Sequence, residues 1–451
     1  MRLRFAPAPT GALHLGSALV AVANALVARN LGAGLALRID DTDAPDDAAE
    51  LTRGIVTDLE WLELEFDGPP THQSARVDRH RAEAARLLAE GAAYRCFCTP
   101  GELAERRSGA FAAHVAWRYD GRCAVLGGAE SEQRAEAGEA WALRLRVPAH
   151  AVVLDDAARG PIRFELGQIG DFVVARADGR PTYDLASCVD DCDMEITQII
   201  RGEDHLANSA RHAILFAALG APLPKLAHVA LLVDDSGARL SKRTGAPPLA
   251  SLRERGVPAL AVVGYLAQLA FPLRAGDPAV ESFAEHARRA DLSRLATGTA
   301  RFDEAQLARL AQEHLAALPA VDLAALVARE LGVDLQRVLP LATALHGIAT
   351  VGDGARAVRA VLDRPAPVEA DDPALTLFRD LRMAGGVQLA EGEAVALVER
   401  LRASAEERGI GARDVLHPVR RALTGADRGL ALPAVIAAID RDEALLRTTR
   451  R

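Results

Sequence analysis

The feature that most constrains this chain is its first forty residues. Residues 2 to 6 read as a short strand, Leu13 to Leu31 as a helix rich in Ala, Val and Leu, and Leu35-Ala36-Leu37-Arg38-Ile39 as a second, buried strand. Gly32 and Gly34 stop the helix, and Asp40-Asp41-Thr42-Asp43 places charge at the strand tip. Strand, helix and strand in that order predict an α/β fold with a doubly wound parallel sheet, where ligands sit beyond the carboxyl ends of the strands. The loop between strand and helix is Pro7-Ala8-Pro9-Thr10-Gly11-Ala12, followed by Leu13-His14-Leu15-Gly16-Ser17. His14 and Gly16 therefore stand at a helix start, where unpaired backbone N–H groups and the positive end of the helix dipole favour an anion. Gly16 has no Cβ to keep a ring or phosphate from the backbone. Taken alone, His-x-Gly at a helix start is more often a capping or satisfied histidine.

A second segment changes that balance. Lys and Arg together number 53, yet the only lysines are Lys225 and Lys242, and Lys242 lies in Arg239-Leu240-Ser241-Lys242-Arg243-Thr244-Gly245. A lysine retained in a Gly-flanked polar loop suits a moving phosphate contact, because its compact ammonium on a flexible stem adapts where a planar guanidinium does not. The two segments together point to a nucleotide site closed by distant parts of the chain.

Length and composition set the outer limits. At 451 residues and 50% hydrophobic, the chain is long enough for two to four domains with sizeable cores. No apolar run approaches a membrane span, and Arg2 and Arg4 lead straight into a strand, so no secretion signal is expected. Five cysteines, an odd number, suggest free thiols or metal ligands in a reducing, cytoplasmic setting. A net charge of −9 does not suit a uniformly basic nucleic-acid binder, although binding follows the local field. Basic clusters occur late, at Arg413, Arg420, Arg421 and Arg428 and at Arg441, Arg447, Arg450 and Arg451, where solvated helix faces are the plain alternative.

Along the chain, helices are expected at 46 to 64 and 78 to 91. An irregular insertion follows from Cys96 to about Ala175, with short strand-like pieces at Trp141 to Val147 and Ile162 to Glu165. Ile196 to Gly202 restores a buried strand with a charged tip, a helix runs from about Asn208 to Leu219, and Ala227 to Val233 reads as another strand before a turn at Asp234 to Gly237. From about residue 250 the pattern is helical, broken by linkers near 272 to 278 and 364 to 373.

The paired segments resemble the two marks of class I aminoacyl-tRNA synthetases, a His-Ile-Gly-His-like element and a Lys-Met-Ser-Lys-Ser-like loop. The resemblance is to a bacterial-type glutamyl-tRNA synthetase, through Arg4-Phe5-Ala6-Pro7, Leu37-Arg38-Ile39-Asp40-Asp41-Thr42-Asp43, Gln73-Ser74, Tyr94-Arg95-Cys96-Phe97-Cys98, Pro181-Thr182-Tyr183, Ile200-Arg201-Gly202-Glu203-Asp204-His205 and Arg301-Phe302-Asp303. It is close over residues 1 to about 315, with Leu416 to Gly425 as one good late match. Glutaminyl enzymes usually carry Pro-Glu-Pro where this chain has Pro7-Ala8-Pro9.

The resemblance implies a split Rossmann-like catalytic domain at 1–75 and 176–245 and an acceptor-end-binding α+β insertion at 76–175. It further implies a helical stem-contact domain at 246–318 and an all-α anticodon-binding domain at 319–451. It implies ligation of L-glutamate to tRNA through a glutamyl-adenylate, with Mg²⁺ accompanying the ATP, by a monomer that meets no membrane. His14, Gly16, Ser17 and Lys242 would stabilise the transition state, and Thr10, His14, Gly16, Ser241 and Lys242 would hold ATP. Arg4, Ala8, Asp40, Tyr183, Ser187 and Arg201 would form the glutamate pocket, with Asp40 taking the ammonium. A substrate carboxylate calls for a fixed cationic fork, which Arg201 at a strand end can offer. Three positions depart from the family pattern: Ala8 for serine, Asp40 for glutamate and Ser187 for a larger residue such as asparagine.

Within the insertion, Cys96, Cys98 and Cys123 with Tyr119 have spacing compatible with a tetrahedral zinc site, while the first two cysteines alone fit buried free thiols equally. Some zinc-binding relatives share the Tyr-x-x-x-Cys ending, so Tyr119 is expected as fourth ligand ahead of His114; Val125 stands where others carry a later ligand. Cys188 and Cys192 read as unrelated thiols. The competing readings are a divergent paralogue acting on another tRNA, including the glutamyl-queuosine type, and a non-catalytic tRNA-binding regulator. The long extension beyond residue 250 argues against the queuosine type, and intact His14, Gly16, Lys242 and Arg201 argue against the regulator.

Overall fold

A computed structural model describes residues 1–43, 47–112, 114, 117–148, 150–165, 169–234, 237–238, 248–273, 282–365 and 372–449. Two compact units are formed, one from 1–250 with 263–303 and the other from 251–262 with 304–451.

The first unit begins as its pattern predicts, with β1 (Arg2–Phe5), α1 (Leu15–Leu31) and β2 (Gly34–Ile39). β1 and β2 pair in parallel, Leu3 opposite Leu35 and Phe5 opposite Leu37. α1 is buried on almost every face, which explains a composition apolar all round rather than along one stripe. Its one buried polar residue, Asn24, donates to the carbonyls of Val20 (2.8 Å) and Ile200 (3.1 Å) and so ties the helix to the second half of the unit. Then follow α2 (Ala48–Trp61), β3 (Thr71–His72), parallel to β2, and α3 (Val77–Ala89).

The insertion holds β4 (Ala93–Cys96), α4 (Pro100–Ala112), α5 (Gly128–Glu136), β5 (Ala142–Leu145), β6 (Val152–Asp156), β7 (Gly160–Phe164) and β8 (Phe172–Ala175). β4, β5 and β8 make a small antiparallel sheet. The β6–β7 hairpin goes elsewhere. After α6 (Tyr183–Asp193), β9 (Gln198–Gly202) and α7 (Leu206–Ala218), β10 (Lys225–Val229) pairs in parallel with both β9 and β6, giving the order β7-β6-β10-β9. Residues 152–164 thus join the sheet of β9 and β10, distinct from the β1-β2-β3 sheet, although they lie within the sequence of the insertion.

The apolar run Ala227 to Val233, expected as one strand, is divided. β10 ends at Val229, Ala230 N–H bonds the Ala296 carbonyl (3.2 Å), and Leu232–Val233 pairs with Ala300–Arg301. Apolar character marks burial along the whole run but cannot register a change of partner.

The second unit is helical, with helices at Glu304–Ala317, Ala320–Leu331, Val351–Leu362, Pro373–Met383, Glu391–Glu406, Ala412–Thr424, Leu432–Ala438 and Arg441–Arg447. Its core is one cluster of Leu, Val, Ala and Ile around Phe378. Among the described residues no single helix is long and apolar enough to cross a membrane.

Candidate active site

Beyond the carboxyl ends of β1, β2 and β9 a cavity of about 620 Å³ opens, lined among others by Thr10, His14, Gly16, Asp40, Tyr183 and Arg201. Its nucleotide end is the start of α1. The Pro7 carbonyl accepts the Asp40 N–H (3.0 Å), pinning the loop after β1 to the tip of β2. His14 is the N-cap, in extended backbone, and its Nδ1 accepts the Ser17 N–H (3.2 Å) while Nε2 lies 3.3 Å from the Ser17 hydroxyl. A Cβ on Gly16 would come within 3.1 Å of the His14 ring, so glycine there lets the imidazole fold over the first turn. The first turn carries no acidic residue, leaving the positive end of the helix open to an anion. Ala8 and Ser17 also line the cavity; Ser241 and Lys242 lie outside the described residues.

The opposite end is built on charge. α6 presents Tyr183, Ser187 and Asp191 at four-residue spacing, hence on one face. Tyr183 lines the cavity, whereas Ser187 lies wholly buried beneath it, its carbonyl accepting from Arg38 Nη1 (3.3 Å) and its hydroxyl from Nη2 (3.4 Å). Asp191 joins two cations, accepting from Arg4 Nε (3.0 Å) and Arg38 Nη1 (2.6 Å). Arg38 Nε also donates to Asp40 (2.7 Å).

Burial would raise both carboxyls. For Asp191 the two arginines outweigh it and the group is held below the ordinary carboxylate range; for Asp40 burial outweighs Arg38 and the group is pushed up. Asp40 therefore lines the cavity already engaged by Arg38. The sequence reading missed Arg38 and Asp191 as site residues. The signals were present: one arginine inside an otherwise apolar strand, and an aspartate continuing the Tyr183 and Ser187 spacing.

Arg201, at the end of β9 and only 5% exposed, lines the cavity without a carboxylate of its own among the described residues. Its nitrogens reach Ser209 Oγ (2.6 Å), His212 Nδ1 (3.2 Å) and His228 Nε2 (3.4 Å). Burial, with Arg4 nearby, lowers its affinity for a proton.

The family pattern described as tRNA synthetases class I (E and Q), catalytic domain, matches residues 1–309. The chain belongs to the class I tRNA synthetases of that E and Q family. An anticodon binding domain pattern matches residues 380–450 of this synthetase. Similar relatives include glutamate-tRNA ligase 1 of Xanthobacter autotrophicus, 36% identical over 98% of both chains, and glutamate-tRNA ligase 1 of Methylobacterium radiotolerans, 38% identical over 98% of this chain and 97% of that one. Among solved structures, a glutamate tRNA ligase from Elizabethkingia meningosepticum in complex with its amino acid superposes with a TM-score of 0.82, at 27% identity over 99% of this chain and 98% of that one.

The synthetase carries a second cluster in its insertion. Cys96, at the end of β4, converges with Cys98 and Cys123 so that the three sulfurs lie within 4.8 Å of one another. The Tyr119 hydroxyl is 3.4 Å from the sulfurs of Cys96 and Cys98, and Cys98 is 3.7 Å from Cys123. Arg144 stacks 3.9 Å above the Tyr119 ring. Burial opposes ionisation of Cys96, but Tyr119 and Arg144 outweigh it and hold the thiol below its ordinary value; burial and the neighbouring thiols push Cys98 up to about 11. Three convergent sulfurs and a phenol fit a tetrahedral divalent cation, whose charge would draw the thiols into their ionised form. His114 is exposed and stands apart from the convergent sulfurs.

In the helical unit the late basic clusters resolve unevenly. Arg421 pairs with Asp427 at the surface, while Arg447 is buried and engages Glu443 and two main-chain carbonyls. Arg447 is therefore not a surface cation. Arg450 and Arg451 lie outside the described residues.

Proposed function

We propose that this synthetase ligates L-glutamate to tRNA, acting as a monomer in the cytoplasm. The single observation that carries the reading is the Arg201 guanidinium, buried at the cavity's edge and bonded among the described residues to neutral partners, opposite a helix start that favours phosphate. A side-chain carboxylate meets Arg201, and the α-carboxylate, already ionised at neutral pH, attacks the α-phosphorus of ATP, with pyrophosphate leaving. No general base is required, so the protein's contribution is alignment and charge stabilisation. His14 and the α1 start hold the phosphates, Ser241 and Lys242 are the further ATP-binding residues, and Mg²⁺ arrives with the ATP. A ribose hydroxyl at the tRNA end then attacks the acyl carbon and AMP leaves. Arg4, Asp40 and Tyr183 orient the amino acid from the sheet tips and α6, and Ser187 supports Arg38 from below. Ala8 lines the same cavity.

Zinc held by Cys96, Cys98, Tyr119 and Cys123 would fold the insertion locally as a structural crosslink. The helical unit and the anticodon domain matched in it favour this reading over a shortened relative that modifies a tRNA base.

Pyrophosphate exchange into ATP, run with tRNA present, tests the reaction. Exchange should depend on glutamate and be feeble with glutamine or aspartate; exchange driven equally by glutamine would overturn the substrate. Metal analysis should return about one zinc per chain, lost in the Cys96→Ser, Cys98→Ser double variant. Metal-free protein with an ordered insertion would remove the zinc site.

A further inference from the structure

Among the described residues Arg201 is a buried cation whose hydrogen-bond partners are not acids. A guanidinium has five N–H groups. Three are committed: Nε to His228 Nε2 (3.4 Å), one on Nη1 to His212 Nδ1 (3.2 Å) and one on Nη2 to Ser209 Oγ (2.6 Å). That leaves one N–H on each terminal nitrogen, the pair a carboxylate can take in a two-point contact.

Each histidine is fixed in turn from behind. His228 Nδ1 lies 2.6 Å from Asp156 Oδ2, and His212 Nε2 lies 3.2 Å from Asp184 Oδ1. An aspartate accepts a proton-bearing nitrogen, so each carboxylate selects the tautomer that leaves the other ring nitrogen as a lone pair facing Arg201. Ser209 Oγ also lies 2.8 Å from His228 Nε2, which closes the ring of contacts. All six side chains are buried. Five elements supply them, β9, β10, α7, α6 and β6, the last bringing Asp156 in from the insertion's sequence; its Oδ1 is itself held by the N–H groups of Ala158 (3.0 Å) and Arg159 (2.9 Å).

The consequence is electrostatic. A carboxylate placed directly on Arg201 would neutralise it and compete with a substrate. Here the negative charges stand one imidazole away, so the guanidinium is oriented and hydrogen-bonded yet keeps its net attraction for an anion in a site of low dielectric. We propose that the pairs Asp156 with His228 and Asp184 with His212 are positioning residues that set the preference for a charged over an amide side chain in the amino-acid pocket, by holding Arg201 without neutralising it. The inference rests on the reading of Arg201 as the side-chain carboxylate contact given under the proposed function.

The experiment is steady-state ATP–pyrophosphate exchange with tRNA present, varying glutamate, glutamine and ATP separately. His228→Phe and His212→Phe remove the acceptor facing Arg201, whereas His228→Gln and His212→Asn keep an amide oxygen near the same place. The Phe variants should raise the glutamate KM by about tenfold or more, leave the ATP KM within about twofold, and narrow the preference over glutamine, while the amide variants recover most of the loss. Unchanged glutamate KM, equal rises in both KM values, or Phe and amide variants impaired alike would each overturn the proposal. Should the Phe variants not fold, Ser209→Ala decides: a rise of about threefold in glutamate KM supports it and an unchanged value overturns it. Wild-type protein without glutamate-dependent exchange would sink the functional reading itself. An active wild type with unaffected variants would sink this inference alone.

Discussion

Both units bury arginines, and they do so in different company. In the catalytic unit Arg4 and Arg38 share Asp191, Arg38 also holds Asp40, and Arg201 rests on two histidines and a serine. In the helical unit Arg382 donates to the main-chain carbonyls of Gly386 (2.6 Å) and Val387 (2.9 Å), and Arg447 to those of Val361 (2.9 Å) and Leu423 (2.6 Å) as well as to Glu443. Val361 and Leu423 lie in the last turns of helices Val351–Leu362 and Ala412–Thr424, so Arg447 satisfies carbonyls that have no partner within their own helices. Burial alone does not mark a guanidinium as functional. The acceptors differ: Arg201 meets neutral side chains at a cavity, whereas Arg382 and Arg447 meet main-chain carbonyls, Arg447 with Glu443 besides.

This contrast can be broken by substitution. Arg201→Ala should lower kcat/KM for glutamate by about 100-fold or more with little loss of thermal stability, because it removes a ligand contact that the empty fold does not need. A fall in melting temperature with unchanged glutamate kinetics would reverse the assignment. Arg447→Met should do the opposite, costing about 2–3 kcal/mol in urea unfolding of the helical unit through carbonyls left without donors, with the glutamate KM unaltered.

The smallest effect is set by pH. Burial, with Arg201 as a like charge, brings His212 down to about 4 against the pull of Asp184, and His228 is lowered in the same direction by burial and Arg201 against Asp156. Tyr183 stacks beside His212, Asp191 adds a weak opposing field, Arg211 stands on the far oxygen of Asp184, and Arg159 lies near His228. A histidine lowered in the folded state binds its proton more readily when unfolded. Its contribution to stability is therefore complete above about pH 6.5 and declines as pH falls toward about 4. His212→Phe should flatten that part of the stability profile. An unchanged slope would mean that His212 is not held neutral by the fold.

The first β-α-β unit was legible because a continuous apolar helix and a Gly stop leave few alternatives. His14, Gly16, Tyr183 and Arg201 stood out in the sequence because motif and strand end coincide, and all four line one cavity. Asp191 and the two histidines did not, since their meaning depends on contacts across more than a hundred residues or on strands whose pairing the sequence does not state. The β6–β7 hairpin shows the same limit. Ile162 to Glu165 reads as a strand-like piece, but nothing local marks β6 as its partner or says that β6 will lie against β10 and bring Asp156 to His228.

Charging of total tRNA with labelled glutamate or glutamine tests the central claim most directly. The account predicts that glutamate, with ATP present, accumulates on tRNA as an alkali-labile ester and that glutamine does not. Pyrophosphate exchange without transfer to tRNA, or glutamine charged as readily as glutamate, would contradict it.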